Sequence, residues 1–217
     1  MQKAIIKLTW IVSYFIIWPI TRLVWPIKIV VSKSAAKIKG PVIIISNHKS
    51  FLDPWIIASA IPFKIFLKIL PIRILGGREY GSFFLTFLDK LKIIPLIYYI
   101  YGVIDIRKEW SFEEKTQPLI DAANHCQSVF IFPEGGLHQD DGLGLFKRGV
   151  SYIYAQSGVS ILPCSVNFNQ QFHCTVHIGP PTAIPEKIIT PENRPNSFYQ
   201  KSCRYLKEKV RRMYRML

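Results

Sequence analysis

Two short stretches constrain the fold more than anything else in the chain. Pro41-Val-Ile-Ile-Ile-Ser46 and Ser128-Val-Phe-Ile-Phe132 are apolar, β-branched runs without alternation, closed by Asn47 and Pro133. A strand with one wet face alternates apolar and polar residues, so an unbroken run marks a strand covered on both faces, as in a parallel sheet beneath two layers of helix. Ile93–Ile97, Val103–Ile106, Ile161–Val166 and Thr175–Ile178 read as further strands. Between them lie helical stretches. Asp53-Pro54 reads as N-cap and first helical residue of a helix through Ala60. Ile61–Leu75 reads as a strand followed by a basic amphipathic piece, broken by Gly76-Gly77. Phe83–Leu91, Phe112–His125 and Gly149–Gln156 suit helices. Tyr199, Cys203, Leu206, Val210, Met213 and Leu217 recur at steps of three and four, an amphipathic helix that closes the domain or rests on lipid. The expected fold is α/β, a mostly parallel or mixed sheet flanked by helices, with sites in loops at the C-terminal ends of strands.

The N-terminal stretch has a different character. From Met1 to Leu52 there is no acidic residue, against eight basic ones: Lys3, Lys7, Arg22, Lys28, Lys33, Lys37, Lys39 and Lys49. Leu8–Thr21 is apolar apart from Thr9, Ser13 and Thr21, and as a helix covers about 20 Å, short of a ~30 Å hydrocarbon core. Pro19 interrupts it, and the apolar piece Leu23–Val31 is broken by Pro26 and Lys28. Two short helices dipping into one leaflet fit this pattern, with a single tilted span as the alternative. Trp10, Trp18 and Trp25 suit interfacial anchoring. A cleaved signal peptide fits less well, because Pro and Arg rather than a small-x-small site follow the apolar run. The expected organisation is a membrane-anchoring helical segment, 1–39, and a domain spanning 40–217, the whole monotopic or with one short span on the cytoplasmic face of a membrane.

Charge and cysteine usage narrow the partners. The 217 residues carry 28 Lys+Arg against 14 Asp+Glu, yet 49% are hydrophobic. That combination excludes intrinsic disorder. The basic residues sit within apolar, aromatic-rich stretches rather than on a polar face, which points to an anionic bilayer surface and away from nucleic acid. Cys126, Cys164, Cys174 and Cys203 lack CxxC spacing and read as four thiols in a reducing compartment.

His48 and Asp53 stand five apart, directly after the first buried strand. A strand-to-helix turn folds the carboxylate back onto one ring nitrogen and leaves the other free, making a general base for an alcohol or amine. Asp53 then fixes the tautomer and stabilises the imidazolium. With five His in the chain such a pair alone is a weak signal, and Asp53 before Pro54 also suits a plain helix cap. His173, Cys174 and His177 offer a second cluster, but adjacent strand residues face opposite ways and no further ligands complete a tetrahedral set. His138 with Asp140 and Asp141 reads as solvated loop charge.

The order of the motifs is more specific than any of them. Asn47-His-Lys-Ser-Phe-Leu-Asp53 is followed by Gly102-Val-Ile-Asp-Ile-Arg107, then Phe132-Pro-Glu-Gly-Gly136, Phe146-Lys-Arg-Gly149 and Ile161-Leu-Pro163. Over about 40–185 the chain resembles the lysophospholipid acyltransferase family, which includes the 1-acylglycerol-3-phosphate acyltransferases. The resemblance implies transfer of an acyl chain from an acyl thioester, acyl-CoA or acyl-carrier protein, to a lysolipid hydroxyl. His48 is then the general base and Asp53 its partner. Asn47 and Ser50, in the same block, are then expected to bind substrate, Arg107 helps to hold the acceptor phosphate, and Glu134, Gly135 and Gly136 shape the acceptor site. No cofactor or metal is expected; the partners are an anionic bilayer, the lysolipid acceptor and the thioester donor.

Two departures from the family pattern bear on the acceptor. Asp105 stands where many members carry an aromatic residue, which leaves Arg107 and Lys108 both as candidates for the phosphate contact. After Glu134-Gly135 the chain reads Gly136-Leu137-His138 instead of Thr-Arg-Ser or similar, so an expected phosphate ligand is missing and Lys147 or Arg148 is the substitute. The alternatives are a different lipid acceptor, or a basic membrane-binding protein of the same fold without activity.

Overall fold

The computed structural model describes residues 1–24, 26–77, 83–138, 142–168, 173–185 and 195–215. Among these residues seven strands form one mixed sheet: β1 (Ile27–Val31), β2 (Ile43–Ile45), β3 (Ile72–Gly77), β4 (Val103–Ile106), β5 (Ser128–Ile131), β6 (Ile161–Phe168) and β7 (Cys174–Ile178). Their order is β1-β7-β6-β2-β5-β3-β4, and every pairing is parallel except β6–β7. The two unbroken runs are β2 and β5, adjacent at the centre and buried on both faces, with Ile43, Ile44 and Ile45 fully buried.

Among the described residues eight α-helices pack around the sheet: α1 (Gln2–Val24), α2 (Asp53–Ala60), α3 (Phe63–Ile69), α4 (Phe83–Lys90), α5 (Ile93–Tyr101), α6 (Phe112–Asn124), α7 (Gly149–Ser157) and α8 (Pro195–Arg215). One core layer packs Ile6 and Trp10 of α1, Ile56 and Ile57 of α2 and Phe66 of α3 against Ile44, Ile72 and Phe130. The other packs Leu119 of α6, Val150 of α7 and Leu206 and Val210 of α8 against Ile43, Ile45 and Val129. Successive strand residues point to opposite faces, so neighbouring isoleucines of β2 feed both layers. The C-terminal amphipathic helix therefore closes the domain; Leu217 lies outside the described residues.

Three expectations are corrected. Ile93–Ile97 is the start of α5 and not a strand: an apolar run has no period to separate the two, and Pro95 falls in the first turn, where a missing N–H costs nothing. Gly102, at φ +68°, caps that helix in the left-handed region. In Ile61–Leu75 the order is reversed, helix α3 first and strand β3 second.

The N-terminal segment is the third. Instead of two short helices it forms one continuous helix with Pro19 inside it, and residues 27–31 pair with β7 as an edge strand. Pro19 leaves the helix whole, its lost bond being local. Trp10 is not an interfacial anchor: it is 1% exposed and its indole Nε1–H donates to the Ile72 carbonyl at 3.1 Å. Trp18 is partly exposed beneath the Arg22 guanidinium, 4.2 Å from its ring, while Trp25 lies outside the described residues. Helix α1 is the one described helix long and apolar enough to cross a membrane by length and composition, over Gln2–Leu23.

Candidate active site

Parallel register brings the first and third motifs to one level. Ile45 of β2 pairs with Ile131 of β5, so His48 and Glu134 each follow three residues beyond a matched pair, on strands about 4.8 Å apart. The loops fix one another: the His138 N–H donates to the His48 carbonyl at 2.8 Å, and the Lys147 N–H donates to the Pro133 carbonyl at 2.7 Å. The His48 imidazole lies flat on the Phe132 ring, centroids 3.8 Å apart and planes 10° from parallel.

Asp53 is completely buried. Its Oδ2 accepts the Lys49 N–H at 2.6 Å, the Ser50 N–H at 2.8 Å and a bond from His48 Nδ1 at 3.0 Å. This geometry departs from a helix cap. Asp53 is already the first residue of α2, which has no side-chain cap bond, and its carboxylate points back into the preceding loop. Two backbone donors hold the carboxylate so that it accepts the Nδ1–H of His48, which leaves Nε2 as the basic nitrogen. The His48 side chain is 15% exposed, whereas that of Asp53 is fully buried.

Glu134 is buried as well. Burial raises its carboxyl above the usual range, opposed by His138, Lys49, the Gly144 N–H and His48. Neither carboxylate oxygen has a partner within hydrogen-bond geometry, although Gly144 lies so close that a Cβ there would meet Oε2 at 3.2 Å. Gly135 needs its freedom: it sits at φ +74°, and Lys147 Nζ lies 2.6 Å from where a Cβ would stand.

The other predicted residues divide. Asn47 is fully buried, its Nδ2 donating to the Val166 carbonyl at 2.7 Å and its Oδ1 accepting the Val166 N–H at 2.9 Å, so it continues the β2–β6 ladder as a brace rather than facing a cleft. Ser50 Oγ accepts the Leu52 N–H within the loop. Gly136 is exposed beside Gly135. Arg107 and Lys108 are exposed beyond the C-terminal end of β4, at the level of Glu134 but three strands from β2, about 14 Å across the sheet. Lys147 covers the Gly135 turn, whereas Arg148 turns away, its guanidinium 4.1 Å over the Phe112 ring.

Three residues beside the site were not singled out by the sequence: Phe132 as the stacking platform, Lys49 and Gly144. Lys49 Nζ donates to the Gly142 carbonyl at 3.2 Å and lies 5.7 Å from the Tyr214 ring, tying the His48 loop to α8. The Phe132 and Lys49 contacts cross 84 or more residues of sequence and the Gly144 contact depends on how the Glu134 turn folds back, so no local signal marks them. Asp140 and Asp141 lie outside the described residues. His173, Cys174 and His177 form no metal set, and among the described residues no group of three His, Cys, Asp or Glu is placed to hold an ion. Burial pushes the Cys164, Cys174 and Cys203 thiols up, away from nucleophilic thiolates.

An imidazole hydrogen-bonded to a buried carboxylate stands at the C-terminal end of a central parallel strand, a geometry that general bases use. The Acyltransferase family model matches residues 28–167, which include every predicted site residue, and the chain belongs to that family. It is 26% identical over 133 residues to a chloroplastic 1-acyl-sn-glycerol-3-phosphate acyltransferase of Arabidopsis thaliana, covering 58% of this chain and 32% of that protein. It is 29% identical over 141 residues to human 1-acyl-sn-glycerol-3-phosphate acyltransferase beta, covering 62% of this chain and 44% of that one. The chain thus spans less than half the length of these relatives. The crystal structure of the 1-acyl-sn-glycerophosphate acyltransferase PlsC from Thermotoga maritima shares the fold, with a TM-score of 0.56 and 19% identity over 88% of this chain and 72% of that one.

Proposed function

We propose that the protein transfers a fatty acyl chain from an acyl thioester, acyl-CoA or acyl-carrier protein, to the free hydroxyl of a lysophospholipid such as 1-acylglycerol-3-phosphate. The observation that carries this reading is the His48–Asp53 pair held at 3.0 Å by two backbone N–H groups, beside the buried Glu134. His48 Nε2 takes the acceptor's hydroxyl proton as its oxygen attacks the thioester carbonyl. The tetrahedral intermediate then collapses, the C–S bond breaks, and the imidazolium returns the proton to the departing thiolate. Asp53 stabilises the imidazolium meanwhile. A thioester is already activated, so the step calls for no metal and no covalent enzyme intermediate. Lys147, over the Gly135 turn, is the nearest candidate for an acceptor phosphate, and Arg107 and Lys108 stand about 14 Å across the sheet from β2.

The same reading places the reaction at a membrane surface, on its cytoplasmic side. Helix α1 turns Ile6 and Trp10 inward and leaves Leu8, Phe15, Ile16 and Leu23 exposed; Phe51, two residues before Asp53, is 68% exposed. An acyl chain lying in the leaflet then reaches His48 beside this apolar rim, while the thioester carrier arrives from water.

Purified protein with labelled acyl-CoA and a panel of lysolipids tests this, following free thiol and lipid product. Product with lysophosphatidic acid assigns the acceptor and means that Lys147 or its neighbours replace the missing Arg. Product with another lysolipid alone means that Gly136-Leu137-His138 marks a changed specificity. No product with any acceptor, from acyl-CoA or acyl-carrier protein, contradicts the reading and leaves an inactive membrane-binding protein.

A further inference from the structure

A groove of about 520 Å³ opens on the face of the sheet opposite α1, between α8 and the segment that follows the Glu134 turn. Arg148, Arg204 and Lys207 line it together with the rings of Phe146 and Tyr199, and among the described residues no carboxylate does. The segment 142–148 is shared between this groove and the site. Gly144 and Lys147 face Glu134 and Gly135, while Leu145, Phe146 and Arg148 face the groove.

We propose that this groove holds the adenosine 3′-phosphate 5′-diphosphate end of acyl-CoA, with the pantetheine arm running past residues 142–148 to His48. The inference rests on the acyl-thioester reading above. Three cations in one groove suit a ligand bearing several phosphates, and arginine recognises phosphate through paired N–H groups. The half-buried rings and the guanidinium planes that line the groove suit a stacked base. Position separates this ligand from lipid: the groove lies across the sheet from the exposed apolar side of α1. Helix α8 also leads toward the site, for Lys207 lines the groove and Tyr214 approaches Lys49. Those seven residues span roughly 10 Å, within reach of an extended arm.

The test uses the full chain, the double variant Arg204→Glu/Lys207→Glu, adenosine 3′,5′-bisphosphate as probe, and two donors, acyl-CoA and S-acyl-pantetheine. Arg204 is exposed and Lys207 half-buried at the groove, so the variant is expected to fold. In calorimetry the bisphosphate binds the wild type, and its affinity falls at least tenfold in the variant. In turnover it competes with acyl-CoA, and the ratio of kcat/KM for acyl-CoA to that for acyl-pantetheine falls about tenfold. Equal losses with both donors, or bisphosphate binding that the variant leaves unchanged, overturn the assignment. So does a loss confined to acyl-carrier protein, or one confined to binding of phosphatidylglycerol vesicles. A wild type that turns over acyl-CoA but does not bind the bisphosphate sinks the groove alone. One that turns over no thioester sinks the functional reading, and calorimetry still decides the groove.

Discussion

Asp53 concentrates the demands of the site on one oxygen, since Oδ2 serves two backbone donors and the His48 ring at once. Asp53→Ala orphans two N–H groups and frees the imidazole, so it costs about 3 kcal/mol in urea unfolding as well as activity. Asp53→Asn keeps the size but presents an amide to Nδ1, with a loss of transfer of about 10²-fold or more expected in a product assay. Glu134 acts in the opposite sense. Burial raises its carboxyl, so the folded state holds the proton more tightly than the unfolded chain does, and stability falls as pH rises from about 4.3 through the raised value. Glu134→Gln removes that slope. Melting temperatures across pH 4–8 should decline for the wild type and stay flatter for the variant; parallel curves would contradict the assignment. The His48–Asp53 pair was legible in the sequence because motif order singles it out. Its stacking on Phe132 was not, since that contact depends on the β2–β5 register.

Helix α1 shows what an element's composition conceals. Its apolar, acid-free sequence reads as an anchor, yet Ile6 and Trp10 fill the same core layer as α2 and α3. Trp10→Ala should therefore cost about 3–5 kcal/mol in chemical denaturation, where a helix lying only in lipid would show no such loss. The end of α5 is similarly constrained, because a Cβ on Gly102 would stand 2.7 Å from Ile6 in a left-handed turn. Gly102→Ala should cost about 1–2 kcal/mol by the same measurement. Strands β2 and β5 were legible because short β-branched runs closed by Asn47 or Pro133 leave few other options. The order of α3 and β3 and the helix at Ile93 were not, because uniformly apolar segments lack a period and their tertiary neighbours decide.

For the whole molecule, an excess of 28 basic over 14 acidic residues and an exposed apolar side of α1 predict association with anionic vesicles that weakens with salt but persists in part. Phe15→Glu with Leu23→Glu should release the protein from vesicles in a flotation assay, because both side chains point outward; undiminished binding would assign the membrane contact elsewhere. The sheet places His48, Glu134 and Arg107 at one level on the C-terminal edges of three strands, a shared address that motif order suggested and only register supplies. The most direct test of the account is the transfer rate of His48→Ala, with labelled acyl-CoA and the accepted lysolipid, alongside a thermal melt. A general base contributes about 10²–10⁴-fold, so the rate should drop by about 10³-fold while the melt stays near that of the wild type. A folded variant with the wild-type rate would contradict the mechanism.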